Sequence, residues 1–434
     1  MVRTTRIILH IRLYKHILRK EAALCHRFLT KLKWDLAKII SISLTGKYLK
    51  ISEIKRIIGR KTIYPRFRIF VLNPDETVNY QLPNEDILSG GSYSENYQNG
   101  SRRTLSFSLN NQEGKYTPSI NNLWVDTKVL LDVGLEVPDE NLIIWFHKGI
   151  FVITSANPSK STETKTVSIS CADKFEILNG KRGTVGTTVE IPPGMLIKDV
   201  IQDILWYDSG TGDVLDPNPF FYHPAFEGKV TPITMTLSAG SNYGNLITQI
   251  ADVLSAEVFY DSYGQLNFVP TVDVISDGDK PNLYDYSIEN LQNENFSIDL
   301  NSFVNCVYVV GANVNGHTCM AVKKNEDPTS PISVGRIGLR VADVINDSNI
   351  TTDQLAEERA EYELRKKIIA ESTLSSSVMF NPLLSVNNIV TYTDEEDFDM
   401  KRERFLIQSI SFNLGYDGLM SLSVSNINNL PFVY

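Results

Sequence analysis

The spacing of apolar residues predicts helices at the start of the chain and strands after them. Ile7, Ile11, Tyr14 and Leu18 recur at the period that places side chains on one face of an α-helix. A second stretch, from residue 24 to residue 39, repeats this spacing with basic residues between the apolar ones. We therefore expect residues 1–61 to form a basic helical N-terminal arm.

Residues 62–188 follow the two-residue alternation of β-strands. In the segment RTLSFSL, the apolar residues Leu105, Phe107 and Leu109 alternate with polar ones, as in a strand with one buried face. The tripeptide HKG at 147–149 interrupts an apolar run and predicts a hairpin turn. The predicted strands are 66–72, 103–109, 125–137, the two halves of 141–154, and 164–172. This series is typical of a small antiparallel barrel or sandwich.

Residues 189–283 combine helices with a hairpin. One helix is predicted over 195–207, and a second begins after Ser241 and Asn242, because both residue types favour the N-cap position. Two short apolar segments around a Ser-Tyr-Gly turn predict a hairpin over 257–269. This part of the chain is expected to be an α+β insertion.

From residue 284 onward the strand pattern returns around one charged helix. The helix, 352–370, has Asp353 near its start and three basic residues in its last turns, as the helix dipole favours. The predicted strands are 303–310, 337–341, 373–380, 388–393, 404–414 and 420–424. The chain is thus predicted to be mainly β, with two antiparallel β-barrel domains, 62–188 and 284–434, separated by the α+β domain 189–283.

Charge is distributed unevenly along the chain. Residues 1–61 contain sixteen Lys and Arg against three acidic residues, a net charge of +13, and the remainder has a net charge of −22. Such a split indicates a basic arm that meets an acidic partner. A protein partner, an anionic membrane surface and nucleic acid are the alternatives. The candidate docking residues are Arg6, Arg12, Lys15, Arg19, Lys20, Arg27, Lys31 and Lys33.

Enzyme signatures are absent from the sequence. No HExxH, GxSxG or GxxxxGK[ST] motif occurs, and the scattered cysteines form no CxxC pair. The four cysteines are expected to be small buried apolar residues in a reducing compartment. A 42% hydrophobic chain without a long apolar run is expected to form ordinary cores and no membrane span. We therefore predict a protein without catalytic activity, metal or cofactor.

The densest acidic run lies between two predicted strands. Adjacent acids in one loop do not supply the separated pair that a glycosidase needs, so an exposed hairpin loop is the simpler interpretation. The sharper hypothesis is that this loop contacts a basic partner or lines a negative passage, where like charge would keep a polyanion from adhering. The residues are Asp394, Glu395, Glu396, Asp397 and Asp399.

The order of these elements resembles a known family. The segments that carry the resemblance are TVSISCADKFEIL, IPPGMLIKDVIQDIL, SNYGNLITQIADVLSAEVFYDSYGQLNFVP, FVNCVYVVG, TTDQLAEERAEYELRKKI and RFLIQSISFNLGYDGLMSLSVS. Together they resemble the baseplate hub proteins of contractile phage tails and related injection machines, over about residues 62–430. The basic arm departs from the usual start of this family.

The resemblance implies a structural role. Two β "tube" domains in each of three chains would form a pseudo-sixfold ring that joins the sixfold tail tube to a trimeric spike. The expected partners are the tail tube, spike and other baseplate proteins, with tape-measure protein or DNA in the channel and no small-molecule substrate. The expected location is the virion tail baseplate, after synthesis in the host cytoplasm. A tail-tip protein of a long flexible tail and a tail-associated cell-wall hydrolase are the alternatives.

Overall fold

The computed structural model describes most of the chain after the basic arm. The described residues are 56–59, 62–119, 123–124, 126–207, 214–271, 284–287, 291–298, 303–328, 330, 332–341, 344–370, 372–396, 400–416 and 418–427. The helices predicted for the arm lie outside these residues. Two compact units are distinguished: residues 1–64 with Gly134–Phe146, and Pro65–Val133 with His147–Tyr434.

The first compact unit includes the turn between two long strands. Asn141 has a φ of +47° there, a conformation that Asn tolerates better than most residues. A Cβ on Gly134 would lie 2.9 Å from side-chain atoms of both Ile143 and Trp145. Glycine is therefore required where this hairpin packs against its own aromatic residue.

Among the described residues from Tyr64 onward, seven strands and one short α-helix precede the insertion. They are β1 Tyr64–Leu72, β2 Val78–Gln81, β3 Ile87–Asn96, β4 Arg103–Asn110, β5 Lys128–Val137, β6 Leu142–Lys160, β7 Lys165–Asp173 and α1 Glu176–Asn179. The alternation predicted for β4 is confirmed, because Leu105, Phe107 and Leu109 are buried and the residues between them are not.

The predicted hairpin turn at 147–149 is wrong. Strand β6 continues through this tripeptide for 19 residues. The polar residues that suggested a turn are instead held by partners within the fold. The His147 imidazole meets the buried carboxylate of Asp132, and the Lys148 ammonium donates to the Leu384 carbonyl oxygen.

The α+β insertion has its own apolar core. Its elements are β8 Val189–Ile191, α2 Ile197–Leu205, β9 Phe221–Tyr222, β10 Met235–Leu237, α3 Tyr243–Val253, β11 Ala256–Tyr260 and β12 Leu266–Pro270. Ile201, Ile247 and Phe268 are fully buried in one cluster, which Phe175 joins from the end of the first β region. Both predicted helices and the predicted hairpin are confirmed. Asn242 does occupy the N-cap of α3, although its side chain makes no capping hydrogen bond.

Among the described residues, the last part of the chain contains nine strands and two α-helices. They are β13 Tyr284–Ser287, β14 Leu291–Ile298, β15 Cys306–Val314, β16 His317–Lys324, α4 Val334–Ile337, β17 Ile345–Asn346, α5 Asp353–Ala370, β18 Ser372–Met379, β19 Ile389–Asp394, β20 Met400–Asn413 and β21 Leu419–Asn426. Helix α5 is confirmed and packs with strands β15 to β17 around Val307, Val309, Ala360 and Leu364.

The strand predicted over 337–341 is wrong. Residues 334–337 form the short helix α4, which ends at Gly338 with a φ of +79°. Only glycine adopts this conformation without strain, so the apolar residues on either side of it cannot continue as one strand. Strands β16, β15 and β17 form a separate small sheet. Its third strand, β17, pairs with β15 in parallel.

Both β regions contribute strands to one sheet. Its order is β14-β18-β21-β20-β3-β4-β7-β6-β5-β1-β2, and β19 and β13 extend it beside β20. The two regions meet where β20 pairs antiparallel with β3, from Ser409 opposite Asn96 to Asn413 opposite Ser92. The prediction of a mainly β chain with antiparallel sheets is confirmed. Among the described residues the pairings form an open series that ends at β14 and β2.

Candidate functional site

Two features distinguish the described part of the chain, a buried ionic junction and a polar sheet face. The ionic junction consists of Glu76, Glu95, Arg102, Arg103, Lys128, Lys148, Asp173, Lys174, Asp216 and Glu257. All are buried except Glu76, which is partly buried. Isolated charges are costly to bury, so this concentration requires a dense set of partners.

Arg102 joins the first β region to the insertion. Its guanidinium Nη2 lies 2.8 Å from Oε2 of Glu257 on β11, and its plane covers the Phe259 ring at 3.9 Å. Glu257 also accepts hydrogen bonds from the Tyr97 hydroxyl and from the Asn387 amide nitrogen. This carboxylate of the insertion therefore contacts residues from both β regions.

Arg103 makes the second connection to the insertion. It pairs with Glu95 at 2.6 Å, and its other terminal nitrogen donates to the Tyr260 carbonyl oxygen, also at 2.6 Å. Burial alone disfavours the cation, but the facing Glu95 carboxylate raises the pKa of Arg103. The backbone N–H groups of Arg102 and Arg103 both donate to Asp173. Burial nevertheless raises the pKa of Asp173.

Lys174 is the central cation of the second half of the junction. Its ammonium is fully buried, 2.7 Å from Glu76 and 3.0 Å from Asp216, and donates to the Gly264 carbonyl oxygen. Although burial favours the protonated acid, the ammonium groups of Lys174 and Lys128 lower the pKa of Glu76. Four hydrogen-bonded groups thus tie the end of β7 to two loops of the insertion.

Lys148 is buried on strand β6, where its ammonium donates a hydrogen bond to the Leu384 carbonyl oxygen at 2.8 Å. Burial lowers the pKa of Lys148 to about 8, and only the Glu95 carboxylate opposes this shift. This hydrogen bond therefore links the first β region to the last one. It requires an ammonium group whose charged form is disfavoured by burial.

The polar sheet face is the solvent-accessible side of the strands around β20 and β3. Three rows of directly opposed residues cross it, all Ser, Thr or Asn. The first row is Asn293, Ser377, Ser421, Ser411, Ser94 and Thr104. The second is Asn295, Ser375, Ser423, Ser409 and Asn96. The third is Asn413, Ser92, Ser106, Ser170 and Ser155. We call these sixteen residues the hydroxyl face.

Neighbouring hydroxyls on this face bind each other across strands. Ser92 and Ser106 are 2.8 Å apart, and Ser94 and Thr104 are 2.7 Å apart, oxygen to oxygen. Each of the sixteen residues is exposed or half-buried, while the residues between them in β3, β4 and β7 form the core. The alternating polar positions were visible in the sequence as TLSFSL and TVSIS. Their alignment across strands was not, because it depends on pairing between distant segments.

The acidic loop predicted from sequence is only partly described. Asp394 is buried at the end of β19 and accepts a hydrogen bond from the N–H of Glu396. Glu395 is exposed and lies 3.9 Å from Lys401. Asp397 and Asp399 lie outside the described residues. The described acids therefore belong to the β19–β20 turn, and their docking or lumen role stays a prediction.

The other sequence-predicted features have simple outcomes. All candidate docking residues of the arm lie outside the described residues. Cys171, Cys306 and Cys319 are buried and free, as expected for the packing role, whereas Cys25 is not described. Within the described ranges, no three His, Cys, Asp or Glu side chains converge to hold a metal ion. No helix there has the length and apolarity to span a membrane.

Comparison with known proteins identifies the fold. A tail protein from Neisseria meningitidis superposes with a TM-score of 0.57 over 84% of this chain and 98% of its own, at 13% identity. The 43 kDa tail protein of prophage MuSo2 from Shewanella oneidensis gives 0.53 over 84% and 99%, at 14% identity. The chain shares its fold with these two tail proteins. The resemblance stated from sequence is confirmed at the level of fold.

Two further comparisons qualify this result. A chain of the PdpA–VgrG complex of Francisella gives a TM-score of 0.50 over 88% of this chain and 61% of its own, at 12% identity. The sequence profile of the domain of unknown function DUF5048 matches residues 329–430. No curated protein sequence matches the chain significantly. The fold is thus shared at low sequence identity.

Proposed function

We propose that this chain is a non-enzymatic structural protein of a phage tail or related contractile injection machine, and acts there as the baseplate hub. One observation carries the proposal. The two β regions form a single sheet through β20 and β3, in a fold shared with solved tail proteins over nearly their whole lengths. In the proposed hub, the two β regions act as two tube-like units that lie side by side.

The domain organisation follows from the same proposal. The regions 62–188 and 284–434 act as the two tube-like units, the region 189–283 is the insertion, and residues 1–61 are the docking arm. Three chains form a ring with six such units, so that one surface matches a sixfold tail tube and another a trimeric spike. The ring surrounds the channel for DNA or tape-measure protein, in the virion baseplate.

The ionic junction suits a load-bearing protein. It contacts all three regions through charge-assisted hydrogen bonds, which have strict geometry. Because breaking one partner would leave a buried charge uncompensated, the relative position of the insertion and the sheet is strongly specified. A rigid link of this kind transmits force between the tail tube and the spike.

Mass measurement of the full-length chain in solution tests the proposal. Light scattering should give a homotrimer, and electron microscopy of the particles should show a ring with six similar lobes. A hexamer would instead favour a distal-tail ring of a long flexible tail. A monomer that degrades cell wall in a zymogram would favour the hydrolase alternative.

A further inference from the structure

The hydroxyl face has an unusual composition for a large accessible surface. Protein surfaces ordinarily mix charges of both signs, yet the three rows contain neither a charged nor an aromatic residue. The first row crosses six strands, from Asn293 on β14 to Thr104 on β4. The composition is therefore maintained across both β regions, although they are distant in sequence.

The three rows lack the groups that bind the usual partners of a sheet face. Stable protein interfaces are enriched in aromatic residues, Met and Arg. Duplex DNA is bound by Lys and Arg that neutralise phosphates, and single strands by aromatic stacking platforms. The hydroxyl face offers none of these groups in its three rows. Its hydroxyls are in part already paired with each other, as between Ser94 and Thr104.

We propose that the hydroxyl face lines the passage of the assembled ring, as a neutral wall to which duplex DNA in transit does not adhere. This inference rests on the proposed function and adds which face of the chain borders the channel. A negative wall avoids adhesion by repulsion that weakens with salt. A neutral hydroxylated wall avoids adhesion because it has no cation to bind the phosphates. The lack of adhesion to such a wall therefore does not depend on ionic strength.

Thiol accessibility in the ring tests the position of the face. Ser94→Cys and Ser411→Cys place single thiols in the first row, and Thr236→Cys on the exposed side of β10 in the insertion is the control. All three are made in a Cys25→Ser background, since Cys171, Cys306 and Cys319 are buried. Each variant is treated, as ring and as dissociated chain, with a small maleimide and with a maleimide attached to a globular protein.

The lumen position predicts a specific pattern. In the ring, Ser94→Cys and Ser411→Cys should react with the small reagent and exclude the protein-sized one, which should react after dissociation. Thr236→Cys should react with both reagents in both states. Reaction of the face with the large reagent in the ring, or with neither, would overturn the inference. Light scattering on the same samples reports separately whether the ring itself exists, so failure of the proposed function is recognised independently.

DNA retention tests the neutrality of the wall. Ser94→Asp/Ser411→Asp rings should retain the same amount of duplex DNA as wild type, because the wild-type face contributes no binding. Ser94→Lys/Ser411→Lys rings should bind about tenfold more tightly or better at low salt, and lose that gain as salt rises. The basic arm is common to all three proteins and cancels in the comparison. A clear loss of retention in the Asp variant would show that the wild-type face binds DNA, against the proposal.

Discussion

At the scale of single residues, the ionic junction fixes the geometry of the fold but makes its stability sensitive to the loss of any one charged partner. Each buried charge is tolerable only while its partner is present, because a lone ion in a low-dielectric interior loses its hydration without compensation. Arg102 and Glu257 are each only 2% exposed at the side chain. Removing one of these two side chains should therefore lower the free energy of unfolding more than removing both.

We expect Arg102→Met to lower the free energy of unfolding by about 3–5 kcal/mol, since Glu257 stays buried without its cation. The double variant Arg102→Met/Glu257→Met should recover part of this loss. Lys401→Met, which affects an exposed ion pair with Glu395, should change stability by about 1 kcal/mol or less. Chemical denaturation measures all three, and a double variant no more stable than Arg102→Met would contradict the coupling.

Lys148 gives a prediction about pH. Its pKa is about 8 in the fold and about 10.4 in an unfolded chain. The unfolded state therefore binds more protons between these values, and stability contributed by this site rises with pH across that window. The difference in unfolding free energy between wild type and Lys148→Met should shift by about 3 kcal/mol in favour of wild type from pH 7 to pH 11.

A matched control separates this effect from general titration. Lys160→Met removes an exposed ammonium at the end of the same strand β6, and the shift measured for Lys148→Met should exceed the shift measured for this variant. Denaturant titrations at several pH values provide the measurement. If the difference in unfolding free energy between wild type and Lys148→Met does not change with pH, burial does not lower the pKa of Lys148 in the folded protein.

At the scale of elements, the small sheet and α5 are fixed by one close backbone approach. A Cβ on Gly311 in β15 would lie 2.3 Å from the Ile350 carbonyl oxygen, nearer than real Cβ contacts occur. Gly311→Ala should therefore displace the segment before α5 and destabilise the chain by about 1–3 kcal/mol. Thermal unfolding with Gly335→Ala as control, where the new Cβ meets no atom within 4 Å, measures the effect. Equal melting temperatures would rule out the close contact.

The sequence predicts elements better than their connections. Alternation at Leu105, Phe107 and Leu109 identifies β4, and the apolar stripe of α2 identifies that helix, because both patterns are local. The continuity of β6 was missed, although both of its halves were predicted as strands, because His147 and Lys148 resemble turn residues until the fold places Asp132 and Leu384 beside them. The ionic junction and the hydroxyl face were missed for the same reason: each joins residues more than 100 positions apart.

At the scale of the whole molecule, the uneven charge remains the strongest functional signal of the sequence. If the arm docks through its positive charge, as we propose, the double variant Arg12→Glu/Lys15→Glu should block incorporation into particles while the body keeps its wild-type unfolding curve. Lys160→Glu/Lys401→Glu makes the same change in net charge outside the arm, and should assemble normally. Particle composition by gel and microscopy gives the answer, and normal incorporation of the arm variant would disprove docking by charge.

The antiparallel pairing of β3 with β20 also affects how the chain folds during its synthesis. The paired residues Asn96 and Ser409 are more than 300 positions apart, which a ribosome covers in about 15–60 seconds. During that interval the nascent chain carries β3 with one bare edge, a template for unwanted pairing. Cells that make this protein must therefore shield an unfinished half for most of its translation, and slower elongation should increase its dependence on chaperones.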